Sequence, residues 1–279
     1  MKSIQFLESH ASTPIKNRPS IFGCPLDRTS TYRSGSDKAP NAIRQASDSI
    51  ETYSPYRDRD LMDLKFSDLG DLDLVHKDLE QALKIIESMC INILTQGAKP
   101  VALGGEHTVT LPIIRALNQY FDDFLVIHID AHSDLRQEYD GQELNHSTVI
   151  RRVAEIMGPS RLIQLGIRSG TKPEFEWMRS NKTLYEWGKG SERYLLKRLS
   201  NKKVYLTLDL DVMDPACLPG TGNPETGGWF FHDLDRLFNI MTSQNIIGAD
   251  VVELNPVLDS SGASSIMAAT IVRELLLII

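Results

Sequence analysis

The segment that most constrains this chain is an apolar run, Phe124-Leu-Val-Ile-His-Ile129, that ends in Asp130-Ala-His132-Ser-Asp134. A run this apolar and β-branched reads as a strand buried on both faces, the signature of a parallel sheet. In open α/β sheets, ligands bind beyond the carboxyl ends of the strands. Three metal-capable side chains at spacing two therefore arrive where such folds place their chemistry. The device recurs at Thr207-Leu-Asp209-Leu-Asp211, after Lys203-Val-Tyr-Leu206. Side chains two apart on a strand point the same way, so Asp209 and Asp211 are expected to face one pocket. A third strand end, Pro100-Val-Ala-Leu103, leads into Gly104-Gly-Glu-His107 and then a helix. The glycines permit a tight turn and close backbone approach. A lone histidine after a strand is ordinarily structural, but this one lands at the same edge as two acidic strand ends.

The rest of the chain supports that frame. Strands are predicted at Ser20–Cys24, Phe66–Gly70, 161–167, 204–208 and 246–252. Helices are predicted from Asn41, and over 77–95, 108–120, 147–157, 191–199, 232–243 and 261–277. Alternation without a composition break or repeat predicts α/β architecture: one doubly wound domain with a mostly parallel central sheet flanked by helices. Residues 1–19 read as a polar, irregular N-terminal surface arm, and 20–279 as the catalytic domain. The length of 279 residues, 41% hydrophobic and 24% charged, fits a single large globular domain. A formal charge of −7 speaks against a nucleic-acid partner, which calls for a basic face. The three cysteines are widely spaced, which fits a reducing, cytoplasmic setting. The first ten residues lack the apolar core of a signal peptide, and no run of roughly 18 apolar residues is present to span a membrane.

The candidate metal ligands are thus His107, Asp130, His132, Asp134, Asp209 and Asp211. Two strand ends delivering this many acids suggest more than one ion. Structural zinc prefers sulfur and nitrogen in a closed tetrahedron. A carboxylate-rich set suits manganese or magnesium, and the imidazoles admit nickel, cobalt or iron. Without cationic counter-charge, four clustered carboxylates repel one another and their pKa values rise. As caps and ion-pair partners, one Asp-x-Asp is unremarkable; three converging strand-end motifs are not. His128, at period two from Asp130, reads as a core histidine behind the ligands. Asp214 reads as orienting the loop of Pro215, Pro219, Gly220 and Gly222. Cys217 has no base partner nearby in sequence. Trp229, beside the glycines, is the tryptophan expected nearest a substrate.

These motifs together resemble the ureohydrolase family of arginases, agmatinases and their relatives. The matching stretches are Gly104-Gly-Glu-His107, Asp130-Ala-His-Ser-Asp134 and Thr207-Leu-Asp-Leu-Asp-Val-Met-Asp-Pro-Ala-Cys-Leu-Pro-Gly-Thr-Gly222. Pro224–Gly228, Phe22–Asp27, Ala39–Arg44 and Asp250–Pro256 extend the match from about residue 20 to the end. The resemblance implies two manganese ions per chain. One would take His107, Asp130, Asp134 and Asp209, and the other Asp130, His132, Asp209 and Asp211, with Asp130 and Asp209 bridging. It further implies that His146 shuttles a proton, that Glu253 pairs with a guanidinium, and that the chain forms homo-oligomers, trimers or hexamers. A guanidinium carbon is a poor electrophile, so hydrolysis needs a strong nucleophile at neutral pH, which metal coordination of water supplies. Asp134 is placed to orient that water, and a histidine is the natural acid for the leaving amine.

The loop after Asp134 selects among substrates. Arginases carry a polar Asn, Thr and Ser-rich loop there, whereas this chain has Leu135-Arg136-Gln-Glu-Tyr139-Asp-Gly-Gln-Glu143. That resembles agmatinase, with Glu138, Asp140 and Glu143 available to attract a terminal ammonium. The small cationic compound agmatine, cleaved to putrescine and urea, is the expected substrate. Arg136 keeps an acid such as guanidinobutyrate or formiminoglutamate as an alternative, alongside arginine itself. A zinc amide hydrolase of the deacetylase type, or a non-catalytic scaffold, are the readings from other classes. Glu106, where the family more often has Asp, is not an expected ligand.

Overall fold

The computed structural model describes residues 4–188 and 190–279. In chain order the elements are β1 (Pro19–Cys24), α1 (Ala39–Ser47), β2 (Tyr53–Ser54), β3 (Arg59–Asp60), β4 (Ser67–Asp71), α2 (Leu79–Thr95), β5 (Lys99–Gly104), α3 (Thr110–Tyr120) and β6 (Leu125–Ile129). They continue with α4 (Val149–Met157), β7 (Leu162–Leu165), α5 (Lys172–Asn181), β8 (Leu184–Tyr185), α6 (Ser191–Leu199), β9 (Lys203–Asp209), α7 (Phe231–Met241), β10 (Asn245–Val252) and α8 (Ala263–Ile278). Eight strands form one sheet in the order β4-β1-β5-β10-β9-β6-β7-β8, while β2 and β3 make a separate hairpin. Every pairing in the large sheet is parallel. The sheet is open and covered on both faces, so its strands are buried throughout, as the unbroken apolar runs predict.

Strand alternation sorts the core into two halves. Val101, Leu103, Ile127, Leu206 and Val251 face α1, α6, α7 and α8. Ala102, Val126, Tyr205 and Val252 face α2, α3, α4 and Met178 of α5. Helix ends are fixed locally. Asp78 caps α2 in a capping box with Gln81, and Asn145 accepts from Ser147 N in the turn before α4.

The predicted elements hold, with shifts of a few residues at their ends. Three were not predicted: α5, the β2–β3 hairpin and β8. Helix α5 fully buries only Glu174 and Met178, with Phe175 and Trp177 half-buried against the core, so its apolar stripe is short and broken by a glutamate. The segment before β1 is mostly exposed, but it is anchored rather than loose. Phe6 is fully buried in the core, and its N–H donates to Asp68 Oδ2 at 2.8 Å. Asp68 in turn pairs with buried Arg44 at 2.8 and 2.9 Å.

The site follows from strand order. β5, β10, β9 and β6 are neighbours at the centre of the sheet. Their carboxyl ends lead directly to His107, Glu253, Asp209 with Asp211, and Asp130 through Asp134.

Candidate metal centre

All six expected ligands converge. His107 Nδ1 lies 3.2 Å from Asp130 Oδ2, 3.1 Å from Asp134 Oδ2 and 3.2 Å from Asp209 Oδ2. Beside this group, His132 Nδ1 lies 2.9 Å from Asp211 Oδ2 and 3.6 Å from Asp130 Oδ1. Asp130 therefore offers one oxygen to each group. The second oxygen of Asp209 accepts from Asp211 N at 2.8 Å. Asp209 and Asp211 do not converge by strand alternation, contrary to expectation. Asp209 ends β9, and a 3-10 turn over Leu210–Val212 brings Asp211 back beside it. Asp134 reaches inward from left-handed backbone at φ 51°.

The electrostatics call for cations. Burial and the charges of Asp211 and Asp130 push the Asp209 carboxyl well above the usual range. Burial, reinforced by Asp130, lifts Asp211 to about 6 against the opposing pull of His132. Burial also works against Asp130, yet the imidazoles of His128, His107 and His132 outweigh it and hold that carboxyl low. His107 Nδ1 is the decisive atom. It is buried without a hydrogen-bond partner, although a buried polar nitrogen ordinarily has one. Thr207 donates to Asp250 Oδ1 at 2.7 Å, so Thr207 Oγ1 accepts from His107 Nε2–H at 2.9 Å. Burial disfavours a charged imidazole, but the three carboxylates that Nδ1 faces outweigh it and raise the His107 pKa well above its usual value, so Nδ1 takes a proton that a bound cation would replace. A histidine whose far N–H is fixed by an outer partner, here Thr207, is what ligation of a metal through Nδ1 would call for, and the hard oxygen-rich set around it fits divalent cations.

His128 lies behind the ligands, as expected. Gln164 Nε2 donates to its Nδ1 at 3.2 Å, leaving Nε2–H to donate to Asp130 Oδ2 at 2.7 Å. Its nitrogens are thus both engaged, and it acts as a support for Asp130.

Above the metal groups, His146 Nδ1 meets Glu253 Oε1 at 3.2 Å. Burial disfavours the charged imidazole, but Glu253, Asp134 and Glu106 outweigh it and raise His146 to about 9. Thr31 serves His146 Nε2 in either protonation state. Its N–H donates at 3.2 Å and its Oγ1 stands 3.0 Å away as an acceptor. Glu253 adopts φ 64°, and its Oε1 accepts from His107 N at 2.7 Å, which ties the two strand ends together. The glycine before Glu106 is required by packing. A Cβ on Gly105 would sit 2.0 Å from the backbone oxygen of Leu26.

A family model described as the arginase family matches residues 17–278. The chain belongs to the arginase family. This arginase-family hydrolase is 42% identical to an agmatinase of Bacillus anthracis over 276 residues, covering 98% of the chain and 95% of that relative. It is 43% identical to an agmatinase of Bacillus subtilis (strain 168) over 261 residues, covering 92% and 90%. The solved structure of the agmatine ureohydrolase of Thermoplasma volcanium superposes with a TM-score of 0.88 at 31% identity, covering 100% of this chain and 94% of that one. The deacetylase and scaffold readings are thereby set aside.

The hydrolase's metal groups open into a cavity of about 320 Å3. Its walls correct several sequence expectations. Arg136 and Tyr139 line it, but Glu138, Asp140 and Glu143 do not. The Glu143 side chain is 70% exposed, with Arg152 its nearest cation at 3.7 Å. Trp229 does not line the cavity either; it is buried against Trp187, ring centroids 5.4 Å apart. Asp214 does orient its loop, accepting from Gly227 N at 2.8 Å and Gly228 N at 2.9 Å. Cys217 directs its thiol at the Asp214 carbonyl. Sequence reasoning missed Thr31, Glu174 and Glu225 in the walls. It also missed the role of Glu106, whose buried carboxylate accepts from Arg28 N at 2.6 Å and Thr29 N at 2.5 Å and so holds the loop that carries Thr31. Its place before His107 was the only available signal.

Proposed function

We propose that this hydrolase cleaves agmatine to putrescine and urea with two manganese ions. Three side chains share the chemistry: Asp134 orients the attacking water, Glu253 holds the guanidinium, and His146 delivers the proton. The observation that carries the reading is the unpartnered Nδ1 of His107 facing three carboxylates, beneath a cavity that holds the His146–Glu253 pair. The likeness to agmatinases along nearly the whole chain supports the choice of substrate.

The ligand partition follows the same reading: His107, Asp130, Asp134 and Asp209 for one ion, Asp130, His132, Asp209 and Asp211 for the other. When bound, the cations supply the acidified water that gives a nucleophile at neutral pH. The Glu253 carboxylate faces a cation best in a buried setting, where charge-assisted hydrogen bonds are strong. Asp134 accepts a hydrogen bond from the water and fixes its lone pair toward the guanidinium carbon. His146, kept protonated by Glu253, passes its proton to the departing amine nitrogen as the C–N bond breaks. The water oxygen stays on the former guanidinium carbon. Its remaining hydroxyl proton passes by way of Asp134 to the freed amine to give charged putrescine and neutral urea, and the proton shed when the water was activated restores His146. The reading also places the enzyme in the cytoplasm as a homo-oligomer.

A urea-release panel with added manganese tests it: agmatine, arginine, guanidinobutyrate, guanidinopropionate, formiminoglutamate and guanidine. Agmatine should give the highest kcat/KM, and activity should vanish on chelation. Cleavage of an acid with agmatine untouched would overturn the substrate. Arg136 in the cavity wall makes guanidinobutyrate the compound to compare first.

A further inference from the structure

Beyond the metal groups and the His146–Glu253 pair, the cavity wall carries three charged side chains: Arg136, Glu174 and Glu225. Glu174 is fully engaged. Its Oε1 accepts from Ser133 Oγ at 2.7 Å and Leu135 N at 3.1 Å, and its Oε2 from Thr171 N at 2.6 Å. It is a structural clasp at the start of α5. Arg136 places its guanidinium 5.4 Å from the Tyr139 ring centroid, a cation–π contact that holds it at the wall.

Glu225 differs from both. It accepts one hydrogen bond, from Ser169 Oγ at 2.7 Å. His132 Nε2 stands 3.8 Å away, beyond hydrogen-bonding reach. Among the described residues no lysine or arginine comes within ion-pair distance of its carboxylate, which is 42% exposed at the cavity wall. The neighbouring Arg168 does not neutralise it. That guanidinium donates instead to backbone carbonyls, of Glu225 at 2.8 Å, Asp211 at 2.9 Å and Val212 at 3.0 Å. Asp214 grips the same loop through Gly227 N and Gly228 N. The backbone under Glu225 is therefore fixed to the loop that supplies Asp211, while one carboxylate oxygen stays open toward the cavity. An anion preorganised on a fixed loop and matched by no lysine or arginine among the described residues is what recognition of a cation requires.

We propose that Glu225 receives the distal cationic group of the substrate and so selects ω-amino guanidines over guanidines with neutral or acidic tails. The inference rests on the ureohydrolase reading above and adds the residue that sets its tail specificity. Glu225→Gln removes the charge and keeps the shape. The test compares wild type and variant on agmatine and on n-pentylguanidine, in which a methyl replaces the terminal ammonium. Metal per chain and inhibition by 1,4-diaminobutane are measured alongside. Loss of one charge-assisted hydrogen bond predicts a fall of about tenfold to a hundredfold in kcat/KM on agmatine, mostly through KM. The fall on pentylguanidine should be much smaller, the diamine should inhibit correspondingly less, and metal content should hold.

Equal losses on both guanidines, or loss of metal, would show that Glu225 acts through His132 and would overturn the proposal. Unchanged selectivity would also overturn it, while leaving agmatine as the substrate. A wild-type enzyme that ignores agmatine but cleaves an acid would bring down the substrate reading, and this inference with it.

Discussion

Replacing Thr207 by valine isolates the claim that His107 is held in one tautomer for metal binding. The substitution keeps the shape and removes one oxygen that does three things. It accepts from His107 Nε2 at 2.9 Å, donates to Asp250 Oδ1 at 2.7 Å, and stands 3.1 Å from Thr110 Oγ1. Asp250 keeps Tyr205 OH at 2.6 Å and Thr110 Oγ1 at 3.0 Å, both on Oδ2, so only Oδ1 is stranded. That stranded acceptor and the His107 Nε2–H left without one cost about 1–3 kcal/mol each in folding free energy. Loss of an outer partner of a ligating histidine weakens metal affinity by roughly 10–100-fold, or about 1.4–2.8 kcal/mol. Denaturant unfolding of the metal-free protein measures the first effect, and calorimetric titration with manganese measures the second. Thr207→Ser retains the hydroxyl and should restore both. A valine variant that is less stable yet binds manganese as tightly as wild type would refute the tautomer argument.

Three further outcomes are expected. His132→Ala and Asp211→Ala should each lower bound metal, measured by elemental analysis, whereas His146→Ala should keep its metal and lose turnover. The His146 pKa is raised in the folded state from 6.5 to about 9, so its pairing with Glu253 stabilises fully below the unfolded value and is lost as pH rises through about 9. The unfolding free-energy advantage of wild type over His146→Gln should therefore shrink across that range, and a constant difference would contradict the pairing. Arg44→Met strands Asp68, which is fully buried beneath Phe6, and should cost about 3–5 kcal/mol in chemical denaturation.

Much of the site was legible because its ligands stand at the ends of apolar runs. The runs at 124–129 and 203–208 could only be buried strands, and the residues closing them had to emerge at one edge. The convergence of Asp209 and Asp211 was anticipated for the wrong reason, since a 3-10 turn rather than strand pleating returns Asp211 to the cluster. Contacts made between distant loops left no local trace. Thr31 reaches His146 across the cavity, and Arg168 reaches the carbonyls of residues 211 to 226. Nothing in the spacing of either residue announces its partner. Helix α5 escaped notice because the residues it fully buries are one glutamate and one methionine. The acids at 138, 140 and 143 misled because their loop presents Arg136 and Tyr139 to the cavity instead.

Strand β10 is inserted between β5, far back in the sequence, and β9, the strand just before it. Apart from β10, the sheet falls into a three-strand group that leads to His107 and a four-strand group that leads to the aspartates. Residues 245–252 must therefore be in place before the candidate ligands can be drawn together. A chain cut short before Asn245 would be left with two sticky, unzipped edges in its middle, and its failure to take up metal would report the missing keystone.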